Sequence, residues 1–322
     1  MTTILVTGAT GTVGSTLIPL LRGRGVDVRA FVRDPDRAQR ISAAGSQIVH
    51  GDYRNPASLR AALDGVEAVF LACGNVPEQV EYECAVIDET ERSGARRIVK
   101  LSARGAAEDS PVAYWHWHAI IERHLRASST PATVLQPGFL MTNLLGAAES
   151  VRRQGMLFAP AAGAQIAMIH PSDVAASAAV ALTESGHNGR TFVLTGPEAL
   201  TYQRVADHLS AQIGRQIGYV DIPPEAATAA LIGAGLPAFA AEQVVRVFDA
   251  LRQGAQSTTT GSVLTDWARP TPVRWLRLGL RRGFRRRGVG TGERLICPVG
   301  RASWGRSRCR RGPAVRAGIG PL

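Results

Sequence analysis

Two apolar patterns alternate along this chain. Short runs rich in Ile, Val, Leu and Phe recur at residues 4–7, 27–33, 46–50, 66–72, 96–102 and 131–136. Runs of this length and make-up read as strands buried on both faces. Between them, apolar residues fall at helical spacing over residues 12–23, from Asp34-Pro35 onward, from Pro56 onward, and over residues 77–93 and 111–128. Six β-α units in series predict one parallel sheet, doubly wound, with helices on both faces. A ligand is then expected where the winding reverses, between the first and fourth strands.

From Leu140 the alternation loosens. Helices are expected over residues 143–154, from Pro171-Ser172-Asp173 to about Glu184, over 202–213 with Thr201 as N-cap, and within 224–254. Short strands are expected at 166–169, 191–194 and 219–222. Residues 1–139 are thus expected to form the main sheet domain and residues 140–261 a smaller subdomain packed on it.

The turn after the first strand carries the chemistry. Gly8, Gly11 and Gly14 punctuate Val6-Thr7-Gly8-Ala9-Thr10-Gly11-Thr12-Val13-Gly14. Gly8 permits a tight turn, Gly11 admits a phosphate where a Cβ would block it, and Gly14 lets the helix lie close to the strand. The helix N-terminus then offers free N–H groups to a pyrophosphate. Arg33, ending the second strand, suits the 2′-phosphate of NADP(H) where an acid would take the free hydroxyl of NAD(H), which remains possible. Asp52 suits an adenine amino group, or serves only as a turn residue.

Composition narrows the partners. The net charge of +11 would suggest nucleic acid, but residues 262–322 alone carry +13, leaving −2 on residues 1–261. The four cysteines have no metal-ligand or disulfide spacing, so no metal is expected and a cytoplasmic setting fits. No leader or membrane span is evident. Lys100 is the chain's one lysine amid abundant arginine, which reads as codon bias. Nothing here sets an oligomeric state.

With these residues placed, the chain resembles the NmrA-like family of atypical short-chain dehydrogenases/reductases, in its NAD(P)H azoreductase and quinone-reductase-like branch. The likeness rests on the glycine turn, Arg33-Asp34-Pro35, Gly51-Asp52, Trp117-His118-Ala119-Ile120-Ile121-Glu122, Leu135-Gln136-Pro137-Gly138-Phe139-Leu140-Met141-Thr142-Asn143 and Ile169-His170-Pro171-Ser172-Asp173-Val174-Ala175. It implies an α/β Rossmann-like fold and NADP(H). By it, Gly8 to Gly14 with Thr10, Thr12 and Val13 hold the pyrophosphate, Arg33 the 2′-phosphate and Asp52 the adenine. Ala72 and Cys73 line the way to the nicotinamide, Pro137 and Gly138 border it, and His118 stands beside its ribose. The family usually has Arg where this chain has Gln136.

Typical relatives use Ser, then Tyr-x-x-x-Lys about a dozen residues on. Here Ser102 precedes Tyr114 by twelve residues, and Tyr114 and His118 lie one helical turn apart on one face. A protonated His118 would lower the Tyr114 pKa, though an imidazole near its ordinary pKa of about 6.5 is only partly charged at neutral pH. The plainer role for Tyr114 is packing. Trp117, Phe139, Met141 and Phe158 are candidate walls for an aromatic or conjugated carbonyl substrate, or core residues.

The expected function is NADPH-dependent hydride transfer to a quinone-like or conjugated carbonyl compound. The alternatives are a redox-sensing NADP(H) binder without turnover and a Tyr114-dependent ketoreductase. Residues 262–322 leave the family pattern and are expected to be disordered. They read as a shifted frame: residues 265–275, back-translated with GC-rich codons and read one nucleotide on, give Leu-Thr-Gly-Arg-Ala-Pro-Arg-Arg-Phe-Ala, the missing family ending. A basic arm for nucleic acid or lipid is the rival reading.

Overall fold

The computed structural model describes residues 2–34, 36 and 45–263, and these build the sheet that the strand runs predict. In chain order come β1 (Thr3–Val6), α1 (Thr12–Gly23), β2 (Asp27–Val32), β3 (Gln47–His50), α2 (Pro56–Leu63), β4 (Ala68–Leu71), α3 (Gln79–Ser93), β5 (Arg97–Leu101), α4 (Ala113–Ala127) and β6 (Ala132–Pro137). A 3-10 helix (Met141–Ala147) follows, then α5 (Ala148–Gln154), β7 (Met156–Ala159), α6 (Pro171–Thr183), β8 (Thr191–Leu194), α7 (Tyr202–Ile213), β9 (Gly218–Asp221), α8 (Pro224–Gly233) and α9 (Ala238–Arg252). The chain divides at Thr291, so every described residue lies in one unit. The helix expected from Asp34-Pro35 and the tail beyond Val263 fall outside the described residues.

The main sheet is parallel, in the order β3-β2-β1-β4-β5-β6-β8. It has seven strands where the alternation up to residue 139 predicts six. The seventh, β8, comes from the later half of the chain and pairs with Val134 to Pro137 of β6. The order reverses between β1 and β4, where the sequence places the ligand.

Period-two alternation sorts the strand residues between two cores. Ile4, Val6 and Phe70 join Leu17 and Ile18 of α1 and Ala178 and Ala179 of α6 on one face. Leu5, Val69 and Leu71 join Leu59 of α2, Ile87 of α3 and Ile121 of α4 on the other. The alanine-rich α6 lets two helices pack closely beneath the sheet. A third core, with Leu144, Leu157, Ile166, Leu209 and Phe248, fills the later segments.

The helix starts follow their caps. Asn55 accepts from Ala57 N–H and Ser58 N–H ahead of Pro56, and Thr201 accepts from Arg204 N–H. His170 caps α6, its Nδ1 accepting from Ser172 N–H at 3.2 Å, with Pro171 in the first turn. The His-Pro-Ser-Asp stretch is therefore a helix start.

Two expectations in the later half need correction. Residues 166–169 are not a strand, because their partners change within four residues. Ile166 bridges Leu200, Ala167 N–H bonds the Gln256 carbonyl, and Ile169 bridges Leu140, so no ladder forms. A strand does form at β7, where none was expected, and pairs in parallel with β9. Four residues are too few for alternation to announce a strand.

After α9 the chain returns across the carboxyl ends of β5, β6 and β8. Gln256, 3% exposed, accepts from Phe139 N–H at 2.7 Å and donates to the Arg104 carbonyl at 3.0 Å. Arg104 in turn donates to the Thr258 carbonyl and hydroxyl at 2.6 and 2.7 Å. Thr260 donates to the Val193 carbonyl at 2.6 Å, and Val263 is buried in the sheet's first core. Among the described residues no helix is long and apolar enough to cross a membrane.

Replacing Gln256 by Ala takes a partner from the half-buried Phe139 N–H and Arg104 carbonyl. It is expected to cost about 2 kcal/mol, seen as a fall of several degrees in Tm by calorimetry. An unchanged Tm would mean that the strap contributes no stability.

Candidate functional site: a dinucleotide cradle over a buried polar network

The site begins where β1 meets α1. Thr7 Oγ1 accepts from Ala72 N–H at 2.8 Å and lies 3.0 Å from the carbonyls of Phe70 and Ala72, tying the end of β1 to the end of β4. Gly8 then turns with φ +57°, a left-handed conformation that suits glycine. A Cβ on Gly14 would stand 2.4 Å from the Gly8 carbonyl oxygen, and one on Gly11 would stand 3.1 Å from it. Gly11 is the N-cap of α1, has no side chain to cap it, and no acid stands in the first turn. Thr10, Gly11 and Thr12 are exposed, while Val13 and Gly14 are buried. The result is a bare helix N-terminus behind a backbone-lined hollow, which fits a pyrophosphate.

Tyr53, which the sequence reading passed over, braces this turn. Its hydroxyl lies 3.4 Å from Gly8 N and from the Ala72 carbonyl. Its ring packs between Phe31 and Tyr82, at 5.3 and 5.4 Å. Burial pushes its pKa up, so the hydroxyl keeps its proton.

Arg33 is exposed just past β2 and has no hydrogen bond or ion pair among the described residues. Its charge lowers the pKa of both Asp52 and Cys73, which sets it at the same rim as the cradle. Asp52 is already engaged. Its carboxylate takes Arg54 Nε at 3.2 Å and the terminal guanidinium nitrogen at 2.9 Å, and it accepts from Arg54 N–H at 2.9 Å. These bonds hold its pKa down. Cys73 is half-buried, and burial, with the Glu83 charge beside it, pushes its thiol up to about 12.

Beneath the rim lies a polar network missed in the sequence. Lys100 shares its face of β5 with Ile98, the face that α3 and α4 cover. Its side chain is fully buried, and its ammonium lies 2.6 Å from Glu83 Oε2, with the Glu83 side chain equally buried. The same ammonium reaches the Leu101 carbonyl at 2.5 Å and His118 Nδ1 at 3.2 Å. Gln79 donates to the other Glu83 oxygen at 3.1 Å. Burial pushes Glu83 up, with Lys100 opposing, while burial and the Lys100 charge together push His118 well below its ordinary 6.5. A lone charged side chain inside an apolar strand was the available signal, set aside as codon bias.

A second cluster adjoins it. Ser102, 4% exposed, donates to Glu122 Oε1 at 2.5 Å. Gln136 donates to the same oxygen at 2.8 Å, and Arg126 holds the other at 2.6 Å. Gln136, where the family usually has Arg, therefore serves as a neutral donor to a carboxylate that Arg126 already balances.

Ser102, Tyr114 and His118 form no hydrogen bonds with one another among the described residues. Ser102 is held by Glu122. His118 is neutral, so the expected electrostatic help for Tyr114 is unavailable. Burial pushes the Tyr114 pKa up, against the direction a proton donor needs. Tyr114 packs instead with Trp117 at 5.4 Å and Phe239 of α9 at 6.3 Å.

The candidate walls separate in the same way. Trp117 stacks on Phe239 at 5.9 Å, and Phe239 is 45% exposed. Phe139 is half-buried against Phe248 at 6.2 Å. Met141 is 2% exposed inside the third core, where it has no free face to offer a substrate. Phe158 is exposed on the outer face of the β7–β9 pair with Met156 and Val220, because the alternation turns Leu157 inward instead. Pro137 and Gly138 are buried at the end of β6, and a Cβ on Gly138 would stand 3.0 Å from the Ala167 carbonyl oxygen.

A parallel sheet with a glycine turn and an uncapped helix N-terminus at its switch point is the arrangement of dinucleotide-binding folds. The chain belongs to the NmrA-like family, whose model matches residues 1–266. It is 39% identical over 234 residues to the NAD(P)H azoreductase of Xenophilus azovorans, spanning 73% of this chain and 82% of the relative. It is 34% identical over 268 residues to the (4-alkanoyl-5-oxo-2,5-dihydrofuran-3-yl)methyl phosphate reductase of Streptomyces griseus subsp. griseus, spanning 83% and 93%. Among solved structures it is similar to the NADPH-dependent quinone oxidoreductase of Escherichia coli complexed with NADPH. There the TM-score is 0.77 at 28% identity, over 87% of this chain and 99% of that one.

The glycines separate binding from folding. Gly11→Ala puts a methyl into the hollow beside an exposed loop, and is expected to weaken NADPH binding about tenfold or more with a small change in Tm. Gly14→Ala drives a Cβ into backbone and is expected to lower Tm sharply. Fluorescence titration and thermal melts of both variants check this, and undiminished NADPH binding by Gly11→Ala would remove the cradle.

Proposed function

We propose that this NADPH-dependent oxidoreductase passes hydride directly to a quinone-like or other conjugated carbonyl acceptor. The observation that carries the reading is the hollow at the switch point beside groups that are not poised as acids. Tyr114 is pushed up, Ser102 is held by Glu122, and His118 is neutral. A quinone suits such a site, because the charge it gains spreads over its ring and needs little acid assistance. NADPH supplies the hydride when bound; with a quinone and one proton from solvent, the products are NADP+ and the hydroquinone.

The chain's own residues bind and orient. Gly8, Thr10, Gly11, Thr12, Val13 and Gly14 take the pyrophosphate on backbone N–H groups, and Arg33 takes the 2′-phosphate. Asp52 keeps lone pairs for the adenine amino group beside its Arg54 pair. Ala72, Cys73, Pro137 and Gly138 border the nicotinamide with small or apolar surface that excludes water, and His118 donates to its ribose. Trp117 and Phe139 offer aromatic walls, with Phe239 extending the first. The names of the relatives support a polarised conjugated acceptor: a quinone in one case and an unsaturated lactone in another. Cys73 and Cys84 are free thiols, which suits a cytoplasmic setting.

A binder without turnover is the second reading, favoured by the unjoined Ser102, Tyr114 and His118. Steady-state oxidation of NADPH and NADH with a quinone panel tests these assignments. Arg33→Ala is expected to raise the KM for NADPH about tenfold or more and to leave that for NADH nearly unchanged. Tyr114→Phe is expected to retain most quinone turnover. Equal losses for both cofactors would remove the 2′-phosphate role of Arg33, and a dead Tyr114→Phe would favour the ketoreductase.

A further inference from the structure

The 322-residue chain has one lysine among 37 lysine and arginine side chains. Every other such position is arginine, and the exception is fully buried. Its surroundings give a reason. Three acceptors stand around Lys100 Nζ: Glu83 Oε2 at 2.6 Å, the Leu101 carbonyl at 2.5 Å and His118 Nδ1 at 3.2 Å. An ammonium has protons and no lone pair, so it donates to the Leu101 carbonyl and to His118 Nδ1 and holds Glu83 Oε2 as an ion pair. A guanidinium is planar, spreads its donors over a wider fork, and cannot converge on three acceptors at one point. Nδ1 of His118 must therefore accept, and the neutral ring carries its proton on Nε2. That Nε2 has no partner among the described residues, although the residue is only 8% exposed.

We propose that Lys100 is a positioning residue whose ammonium, clamped by Glu83, locks His118 as the neutral Nε2–H tautomer, so that the ring always presents a donor to the nicotinamide ribose. The ribose contact rests on the function proposed above; the tautomer lock does not. Burial and the Lys100 charge both oppose protonation of the ring. Of the other charged groups on the elements around it, Glu81 is exposed and the rest are paired, Glu89 with Arg60 and Arg92, Glu91 with Ser129 and Arg123 with Glu108. On α3, Asp88 pairs with His124 at 2.7 Å. On the helix of His118 itself, Glu122 is held by Ser102, Gln136 and Arg126, and Tyr114 stays protonated. Strand β6 carries no ionisable side chain, and β5 adds only Arg97, which bonds the Ala181 carbonyl at 3.2 Å. Lysine at this position thus sets which ring nitrogen carries the proton, a task beyond supplying charge.

The test is long-range proton–nitrogen NMR of the full chain labelled with 15N-histidine, which separates bare from protonated ring nitrogens. The chain has seven histidines, and His118→Gln identifies the signal. The expected spectrum shows Nδ1 bare and Nε2 protonated, unchanged between pH 8 and about 5.5, a range in which an ordinary imidazole titrates. A proton on Nδ1, a mixture of tautomers, or a ring that titrates near 6.5 in the wild-type protein overturns the lock.

The double variant Lys100→Met/Glu83→Gln removes the ion pair without orphaning either charge. In it the His118 signal is expected to become a tautomer mixture, and the KM for NADPH to rise about fivefold, the weight of one hydrogen bond, with the acceptor KM unmoved. Lys100→Arg is expected not to restore the single tautomer. Retention of the wild-type spectrum in either variant overturns the assignment to Lys100. Saturation of the wild-type protein with NADPH tests the other half separately. A locked ring whose Nε2 signal does not move keeps the tautomer and removes the ribose contact.

Discussion

The structure depends on how closely α1 approaches the turn that precedes it. The Gly8 carbonyl oxygen occupies the space where a Gly14 side chain would begin, 2.4 Å away. That contact aims the bare helix N-terminus along the carboxyl edge of the sheet. Thr7 fixes the turn to the end of β4, so the hollow opens at the one place where neighbouring strands wind in opposite directions. A cofactor lying there can reach Arg33 past β2 on one side and the ends of β5 and β6 on the other. The placement of the site follows from backbone packing before any reactive side chain is considered.

Around that turn the chain keeps polar groups inside and gathers them into clusters. Lys100 and Glu83 lie between β5 and two helices, where an unpaired charge would cost several kcal/mol. Glu122 gathers Ser102, Gln136 and Arg126 one turn beyond His118. Gln256 ties the returning chain to the loops after β5 and β6. The three arrangements all engage residues at or just past the carboxyl ends of β5 and β6. They also explain why the Ser102, Tyr114 and His118 set is not joined: two of its members are engaged by the network.

Much of the fold was legible because it rests on local chemistry. Glycine spacing, the Pro56, Thr201 and Pro171 helix starts, and the apolar strand runs each identify an element without outside help. The later half was harder. Residues 166–169 are as apolar as a strand, but their hydrogen bonds go to three different segments, which a period-two pattern does not reveal. β8 joins the main sheet from a segment assigned to the smaller subdomain, since strand order is a long-range property. In the site, the glycine turn was readable and the network was not. Glu83 and His118, which meet Lys100, and Ser102 and Gln136, which meet Glu122, lie outside the element that carries each, up to 20 residues away. Met141 and Phe158 show the complementary limit: an apolar side chain announces burial or exposure only once its face is known.

The proposed hydride transfer from NADPH held at the glycine turn is put to the test by a single turnover. The protein would be loaded with one equivalent of NADPH without oxygen, mixed with menadione, and followed by the loss of reduced-nicotinamide absorbance. Rapid loss of one NADPH per hydroquinone formed is expected, slowed when the transferring hydrogen at nicotinamide C4 is deuterium. Tightly bound NADPH that survives menadione and other conjugated carbonyl acceptors unchanged would contradict it and leave a binding protein without turnover.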